Sequence, residues 1–209
     1  SKMATPRIVF GSMTFGKQVK AAQATEMLAY FYDKITGERV EIDTASMYGK
    51  KNGQTERILG NIMTPEQKSR LYIATKVNPS WEGGLTGDGL TKQFMSSLER
   101  LQLPSVDLLY LHRPDHDTPI IDTLTAVQKL YEDGKFKALG LSNYAAWQVA
   151  EIYYLCKQRN WVLPTVYQGM YNAFTRQVEL ELFPCLRRFD IKFYAFNPLA
   201  GGLLTGKYN

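Results

Sequence analysis

Short runs of β-branched and aromatic residues alternate with longer segments of helical periodicity along the whole chain. The β-rich runs predict strands at Arg7–Phe10, Val40–Ile42, Leu71–Ala74, Val106–Leu111, Ala138–Leu141 and Ile191–Phe196, with another centred on Val166–Gln168. Between them, apolar residues recur every three or four positions, which predicts helices over Ala21–Ile35, Thr55–Met63, Leu90–Leu101, Ile121–Tyr131, Ala145–Lys157 and Val178–Phe189. Leu90, Phe94, Leu98 and Leu101 fall on one helical face, and Gly37 and Gly134 stand where helix stops are expected. Val106–Leu111 is almost continuously apolar, as a strand covered on both faces must be.

Seven such βα periods run from residue 1 to residue 209 without a change of composition, so one domain is expected. Repeated βαβ units imply a parallel sheet with right-handed crossovers, either open and doubly wound or closed into a barrel. An open nucleotide-binding sheet usually has a glycine fingerprint after its first strand, but Gly11–Gly16 has glycines only at its two ends. The strand ends favour the barrel. Asp43, Lys76, His112, Ser142 with Asn143, Gln168 and Asn197 each stand at or just after the end of an apolar run, at intervals of about 30 residues. An acid, a lysine, a histidine and several amides converging on one rim is the pattern of a (β/α)8 TIM-type barrel, of which the chain has seven periods.

Composition narrows the class without choosing a function. With 44% hydrophobic and 22% charged residues in 209, the chain is an ordinary globular one. No apolar stretch reaches the roughly 20 residues of a membrane span, and polar Ser1–Arg7 offers no signal-peptide core. Two cysteines, Cys156 and Cys185, are too few for a disulfide framework, so a reducing, cytoplasmic setting is expected. The net charge of +5 permits an anionic ligand, but no basic run exceeds two residues, so nucleic acid is not expected.

The polar residues then resemble a family. Ile42-Asp43-Thr44-Ala45-Ser46-Met47-Tyr48-Gly49 with Gln54-Thr55-Glu56-Arg57-Ile58-Leu59-Gly60 is similar to the first signature of the aldo-keto reductases. Ala74-Thr75-Lys76, Val106-Asp107-Leu108-Leu109-Tyr110-Leu111-His112 and Gly140-Leu141-Ser142-Asn143-Tyr144 follow in the family's order. Pro164-Thr165-Val166-Tyr167-Gln168-Gly169-Met170-Tyr171-Asn172 and the stretch from Asn197 to Tyr208 resemble its aflatoxin-aldehyde and succinic semialdehyde reductase branch.

The resemblance implies NADPH-dependent reduction of aldehydes, with ketones and dicarbonyls as further carbonyl substrates. It makes Asp43, Tyr48, Lys76 and His112 the catalytic tetrad. Carbonyl reduction needs a hydride and a proton; Tyr48 is the natural proton donor, although a free phenol has a pKa of about 10. A cationic Lys76 nearby is expected to lower that value, Asp43 to keep Lys76 charged, and His112 to orient the carbonyl and share proton delivery. No metal is required. Pro114 also argues against pairing His112 and His116 on one helix as ligands.

The resemblance further assigns the cofactor to Met13, Ser142, Asn143, Gln168, Phe196, Asn197, Leu199, Gly201, Leu203 and Lys207. Ser142, Asn143 and Gln168 would hold the carboxamide, and Phe196 would stack on the nicotinamide. The pyrophosphate would lie over Gly201–Lys207, whose small residues let backbone N–H groups approach phosphate oxygens. That loop also has P-loop glycine and lysine spacing, but Tyr208 replaces the hydroxyl ligand of magnesium, which argues against a nucleotide triphosphatase. Met47, Trp81 and Tyr171 are expected walls of a pocket for small or aromatic aldehydes. A homodimer is expected by the same likeness.

The likeness also exposes a departure. At about 30 residues per period the eighth strand and helix are missing, and no residue here takes the role of binding the 2′-phosphate. The alternative to an enzyme is therefore a truncated or non-catalytic relative acting as a binding or regulatory protein.

Overall fold

A computed structural model describes residues 7–35 and 39–207. The expected stop at Gly37 and the loop residue Tyr208 lie outside them. One parallel sheet contains β1 (Val9–Gly11), β2 (Glu41–Asp43), β3 (Tyr72–Val77), β4 (Val106–Leu111), β5 (Phe136–Ser142), β6 (Pro164–Met170) and β7 (Lys192–Phe196), each strand paired with the next. The helices are α1 (Ala21–Lys34), α2 (Gln54–Ile62), α3 (Pro65–Arg70), α4 (Gly87–Leu101), α5 (Ile120–Glu132), α6 (Ala146–Gln158) and α7 (Leu182–Arg188).

Two side-chain contacts show that the sheet is curled. Gln168 on β6 lies 2.8 Å from Asp43 on β2, and the Tyr194 hydroxyl on β7 lies 2.9 Å from Glu41 on β2. In a flat sheet β2 and β6 would be about 19 Å apart, four strand spacings, far beyond the reach of a glutamine. The strands therefore bend around a common lumen, as in a (β/α)8 barrel, and the open doubly wound sheet is excluded.

Alternation along each strand divides the core into two layers. Ile73 and Val77 of β3, Leu109 and Leu111 of β4, Leu139 and Leu141 of β5, and Tyr167 of β6 pack outward with the helices, against residues such as Leu90, Phe94 and Leu101 of α4. Ala74, Leu108, Tyr110 and Val166, with Tyr72, Ala138 and Tyr194, fill the lumen. A Cβ on lumen-facing Gly140 would lie 2.4 Å from the Tyr110 ring, so a glycine on β5 makes room for the largest fully buried side chain. The same parity sends Asp43, Lys76, Ser142 and Gln168 inward, two positions along from lumen residues or one from outward ones.

Several boundaries differ from those predicted. β3 continues through Lys76 to Val77, so Lys76 lies within its strand rather than after it, and β6 runs two residues past Gln168 to Met170. The hydrogen-bond ladder continues wherever inward polar side chains find partners in the lumen, and an apolar run understates its length. The helix expected over Val178–Phe189 is a 3-10 turn, Gln177–Glu179, followed by α7. Pro184 is the reason: it has no N–H to donate, and its ring would clash with the carbonyl four residues back, so it sits in the first turn of α7. α3 was not anticipated, because none of its residues is buried and no apolar period marks it. Its signal is the cap instead: the Thr64 hydroxyl accepts from Gln67 N, the Gln67 side chain accepts from Thr64 N, and Pro65 opens the helix.

Candidate active site

At the C-terminal ends of the strands, Lys76 is fully buried and stands at the centre of a polar cluster. Its Nζ donates to both carboxylate oxygens of Asp43, at 2.7 and 2.6 Å, and to the Thr44 carbonyl at 2.8 Å. The Tyr48 hydroxyl is 3.5 Å away. β2 delivers Asp43 from its last position, and the turn after it brings Tyr48 back over the end of β3, with Ser46 N donating to the Lys76 carbonyl at 3.1 Å. His112 follows β4, its N–H donating to the Val77 carbonyl, and its ring meets Tyr48 edge-on with centroids 6.0 Å apart. Asp43, Tyr48, Lys76 and His112, spread over 70 positions of sequence, are thus brought together.

The electrostatics differ from expectation at one point. Burial alone would drive Lys76 toward its neutral form, but Asp43, helped by Tyr48, raises its pKa above the ordinary lysine value, so it stays an ammonium. The Tyr48 pKa is raised, not lowered as expected from its neighbour. Burial of a phenolate is the largest effect; Lys76 pulls the pKa down and Asp43 pushes it back up. Lys76 and Asp43 form a nearly neutral pair, so the cation cannot overcome the loss of solvent. His112 is pushed down to about 3 by burial, with Lys76 and Arg113 adding to the effect, and is neutral at physiological pH. Its Nδ1 is buried without a hydrogen-bond partner among the described residues.

The amides sit around this centre. Gln168 donates through Nε2 to Asp43 Oδ1 at 2.8 Å, so it is part of the Lys76–Asp43 network. Asn143, at φ 62°, donates to the His112 carbonyl at 2.9 Å and to buried Ser142 Oγ at 3.1 Å. Phe196 closes β7, half-buried. After it the backbone turns left-handed at Asn197, Ala200, Gly201, Gly202 and Gly206. Asn197 Oδ1 accepts from Gly201 N at 2.7 Å, which folds the loop back on itself. A Cβ on Gly201, Gly202 or Gly206 would meet nothing within 4 Å, so one side of the loop is open to an approaching group. Leu199, Leu203 and Lys207 are exposed on this loop, and Met13, in the turn after β1, is exposed as well.

Two of the three expected pocket residues, Met47 and Trp81, both hydrogen-bond to Asn78. Met47, 40% exposed, accepts from Asn78 Nδ2 through its sulfur at 2.9 Å, beside Tyr48. Trp81 lies against Arg100, whose guanidinium is 5.4 Å from the ring centre, and its Nε1 is buried with no hydrogen-bond partner among the described residues. Tyr171, just past the end of β6, donates its hydroxyl to Glu179 at 2.6 Å, and its ring packs on Phe183 and Phe193.

Sequence reasoning missed the Thr44 carbonyl, which no residue type reveals, and three buried polar groups, Glu56, Gln93 and Arg100. Gln93 had a readable signal, since it sits three positions after Leu90 on the buried face of α4. At the opposite, N-terminal end of the strands, a cavity of about 310 Å³ lined by Arg39, Tyr72, Asp107 and Lys137 among others contains none of the clustered site residues.

Comparison with known proteins fits this arrangement. The Aldo/keto reductase family model matches residues 7–209. The chain is 54% identical over 206 residues to Aflatoxin B1 aldehyde reductase member 2 of Rattus norvegicus, covering 97% of this chain and 54% of the relative. It is 53% identical over 207 residues to human Aldo-keto reductase family 7 member A3, covering 98% and 61%. Oxidoreductase sirO of Leptosphaeria maculans is 34% identical over 206 residues, covering 95% and 61%. The chain therefore spans between half and two thirds of the length of these relatives. With nearly its whole length matched and seven parallel strands curled about one lumen, the chain belongs to the aldo/keto reductase family.

Proposed function

We propose that this chain carries the proton-transfer centre of an NADPH-dependent reductase that converts aldehydes to alcohols, with ketones and dicarbonyls as further substrates. One observation carries the reading: a fully buried ammonium, Lys76, held by Asp43 and the Thr44 carbonyl beside the hydroxyl of Tyr48. The relatives named as aldehyde reductases support aldehydes as the substrate class.

When bound, the dinucleotide supplies the hydride. Ser142, Asn143, Phe196 and the Asn197–Lys207 loop are the residues offered to hold it, the loop because its glycines leave open space for phosphate oxygens. Tyr48 gives its proton to the carbonyl oxygen. Its raised pKa keeps that proton in place at neutral pH, and transfer remains favourable because an alkoxide is far more basic than a phenolate. Lys76 stabilises the phenolate that is left, at a site where water does not screen the charge. Asp43 holds Lys76 in position and neutralises it between turnovers, and Gln168 fixes Asp43 from across the lumen. His112, neutral, orients the carbonyl by a hydrogen bond and carries no charge of its own.

The deciding measurement is aldehyde-dependent NADPH oxidation by the chain and by Tyr48→Phe. Loss of activity in the variant is expected; wild-type rate in Tyr48→Phe sinks the reading. A fluorescence titration with NADPH, reported by Trp81, Trp147 and Trp161, tests the binding half separately. Binding without turnover would favour the non-catalytic relative.

A further inference from the structure

Two polar groups on the buried face of α4 take no part in the chemistry above, yet each ties the Tyr48 segment to the Lys76 strand. Gln93 is the first. Its Oε1 accepts from Ser46 Oγ at 2.9 Å and from Asn78 N at 2.5 Å, and its Nε2 donates to the Asn78 carbonyl at 3.1 Å. Ser46 is two residues before Tyr48, and Asn78 two residues after Lys76. A single amide thus fastens the turn after β2 to the exit of β3.

Arg100 lies seven residues further on, two helical turns along the same face. Its Nε donates to Glu56 Oε2 at 2.7 Å and its Nη2 to Ser97 Oγ at 3.0 Å. The other oxygen of Glu56 accepts from Thr75 Oγ1 at 2.6 Å. Thr75 immediately precedes Lys76 and, by strand alternation, points outward while Lys76 points into the lumen. Glu56 sits in the first turn of α2, directly after the segment that carries Tyr48. The ion pair is almost fully buried, at 0% and 8% exposure. Where α2 crosses α4, a Cβ on Gly60 would lie 2.2 Å from the Arg100 carbonyl, so the helices touch backbone to backbone and leave the pair little slack.

A buried ion pair is a poor device for stability alone, since apolar residues of equal volume often do as well or better. What this pair and Gln93 supply in common is geometry. Both connect one element bearing Tyr48 to one bearing Lys76, by different routes.

We propose that Gln93 and the Arg100–Glu56 pair are positioning residues that set the 3.5 Å separation between Tyr48 Oη and Lys76 Nζ. The proposal rests on the proton-transfer reading of that pair of residues, and it is tested by a measurement that does not depend on turnover. The charged and titratable groups facing Tyr48 are Asp43 from β2, Lys76 from β3 and His112 from β4. Of these, only Lys76 favours the phenolate, so loosening its approach while keeping burial intact must make Tyr48 harder to ionise.

The experiment follows Tyr48 ionisation by NMR of 13Cζ-tyrosine in the full chain, with the resonance assigned by its absence in Tyr48→Phe. Gln93→Met and Arg100→Met keep an unbranched chain in place while removing the polar contacts. Both are expected to move the Tyr48 titration upward by about half a unit or more. They are also expected to lower kcat for aldehyde reduction about tenfold with KM within about twofold. Arg100→Lys retains the charge opposite Glu56 and is expected to restore most of both. If Arg100→Met does not fold, judged by circular dichroism, Ser46→Ala removes one contact of Gln93 and is expected to show a smaller shift in the same direction. An unmoved or lowered Tyr48 titration, with only thermal stability reduced, overturns the proposal. A shifted titration in a chain whose wild type reduces no aldehyde overturns the catalytic reading and leaves the positioning role standing.

Discussion

Gln168 of β6 donates an amide N–H to Asp43 Oδ1 of β2 across 2.8 Å of the lumen, joining residues 125 positions apart. The contact completes the first layer around Lys76: a carboxylate that already accepts two bonds from the ammonium is held by a third from the far wall. Gln168→Met should therefore loosen Asp43 without emptying the lumen. A loss of about 1.5–3 kcal/mol is expected for a hydrogen bond to a charged group, measured by urea denaturation.

Asp43 and Lys76 should be strongly coupled. Asp43→Asn leaves a buried ammonium without its counter-charge and should destabilise by about 3–5 kcal/mol. Lys76→Met strands the carboxylate in turn. The double variant Asp43→Asn with Lys76→Met should lose much less than the sum of the singles, because it leaves no buried charge. Additive losses in a double-mutant cycle would show that the two groups act independently.

Tyr48→Phe separates chemistry from folding. The hydroxyl's contact with Lys76 is a long 3.5 Å, so less than about 1 kcal/mol of stability should be lost. Activity should fall by about 10²–10⁴, the range for removing a positioned acid. A variant as unstable as Asp43→Asn would mean that the hydroxyl has a structural role the geometry does not reveal.

His112 should make the fold sensitive to mild acid. Its folded pKa of about 3 lies below the ordinary value of 6.5, so between those limits the unfolded chain binds a proton that the native state does not. Stability from this group is complete above about pH 6.5 and decreases as pH falls toward 3, amounting to about 2 kcal/mol lost at pH 5. His112→Gln should flatten the stability profile between pH 7 and pH 5, a window above the ordinary carboxylate range. An equally steep profile in the variant would place the titrating group elsewhere.

Gly140→Ala tests the packing of the lumen. The added methyl would overlap the Tyr110 ring at 2.4 Å, and Tyr110 is enclosed on all sides. Destabilisation of about 1–3 kcal/mol is expected, with relief when Tyr110→Leu is combined with it. Thermal unfolding of the single and double variants reads this directly.

Much of the fold is legible in the linear pattern because strand alternation and helical period are local. β4 runs from Val106 to Leu111 as its apolar run predicts, and the inward side chains follow from counting along each strand. Asp43, Lys76 and His112 are singled out by the same pattern, since each stands near the end of a strand it reveals; Tyr48, in the turn after β2, is singled out only by the family resemblance. α3 leaves no apolar period because it buries nothing, and Pro184 shortens the helix that the periodicity predicts up to Phe189.

Whatever depends on distance through space was decided by the tertiary structure. The sequence determined which groups exist and which face of a strand they occupy, because backbone sterics impose that on every residue. Curling of the sheet decided that Gln168 meets Asp43, and packing of α4 against the strands decided that Gln93 bridges Ser46 and Asn78. The raised pKa of Tyr48 belongs to the same class: residue types predict the pull of Lys76, but the burial that outweighs it exists only once the strands have curled around the site.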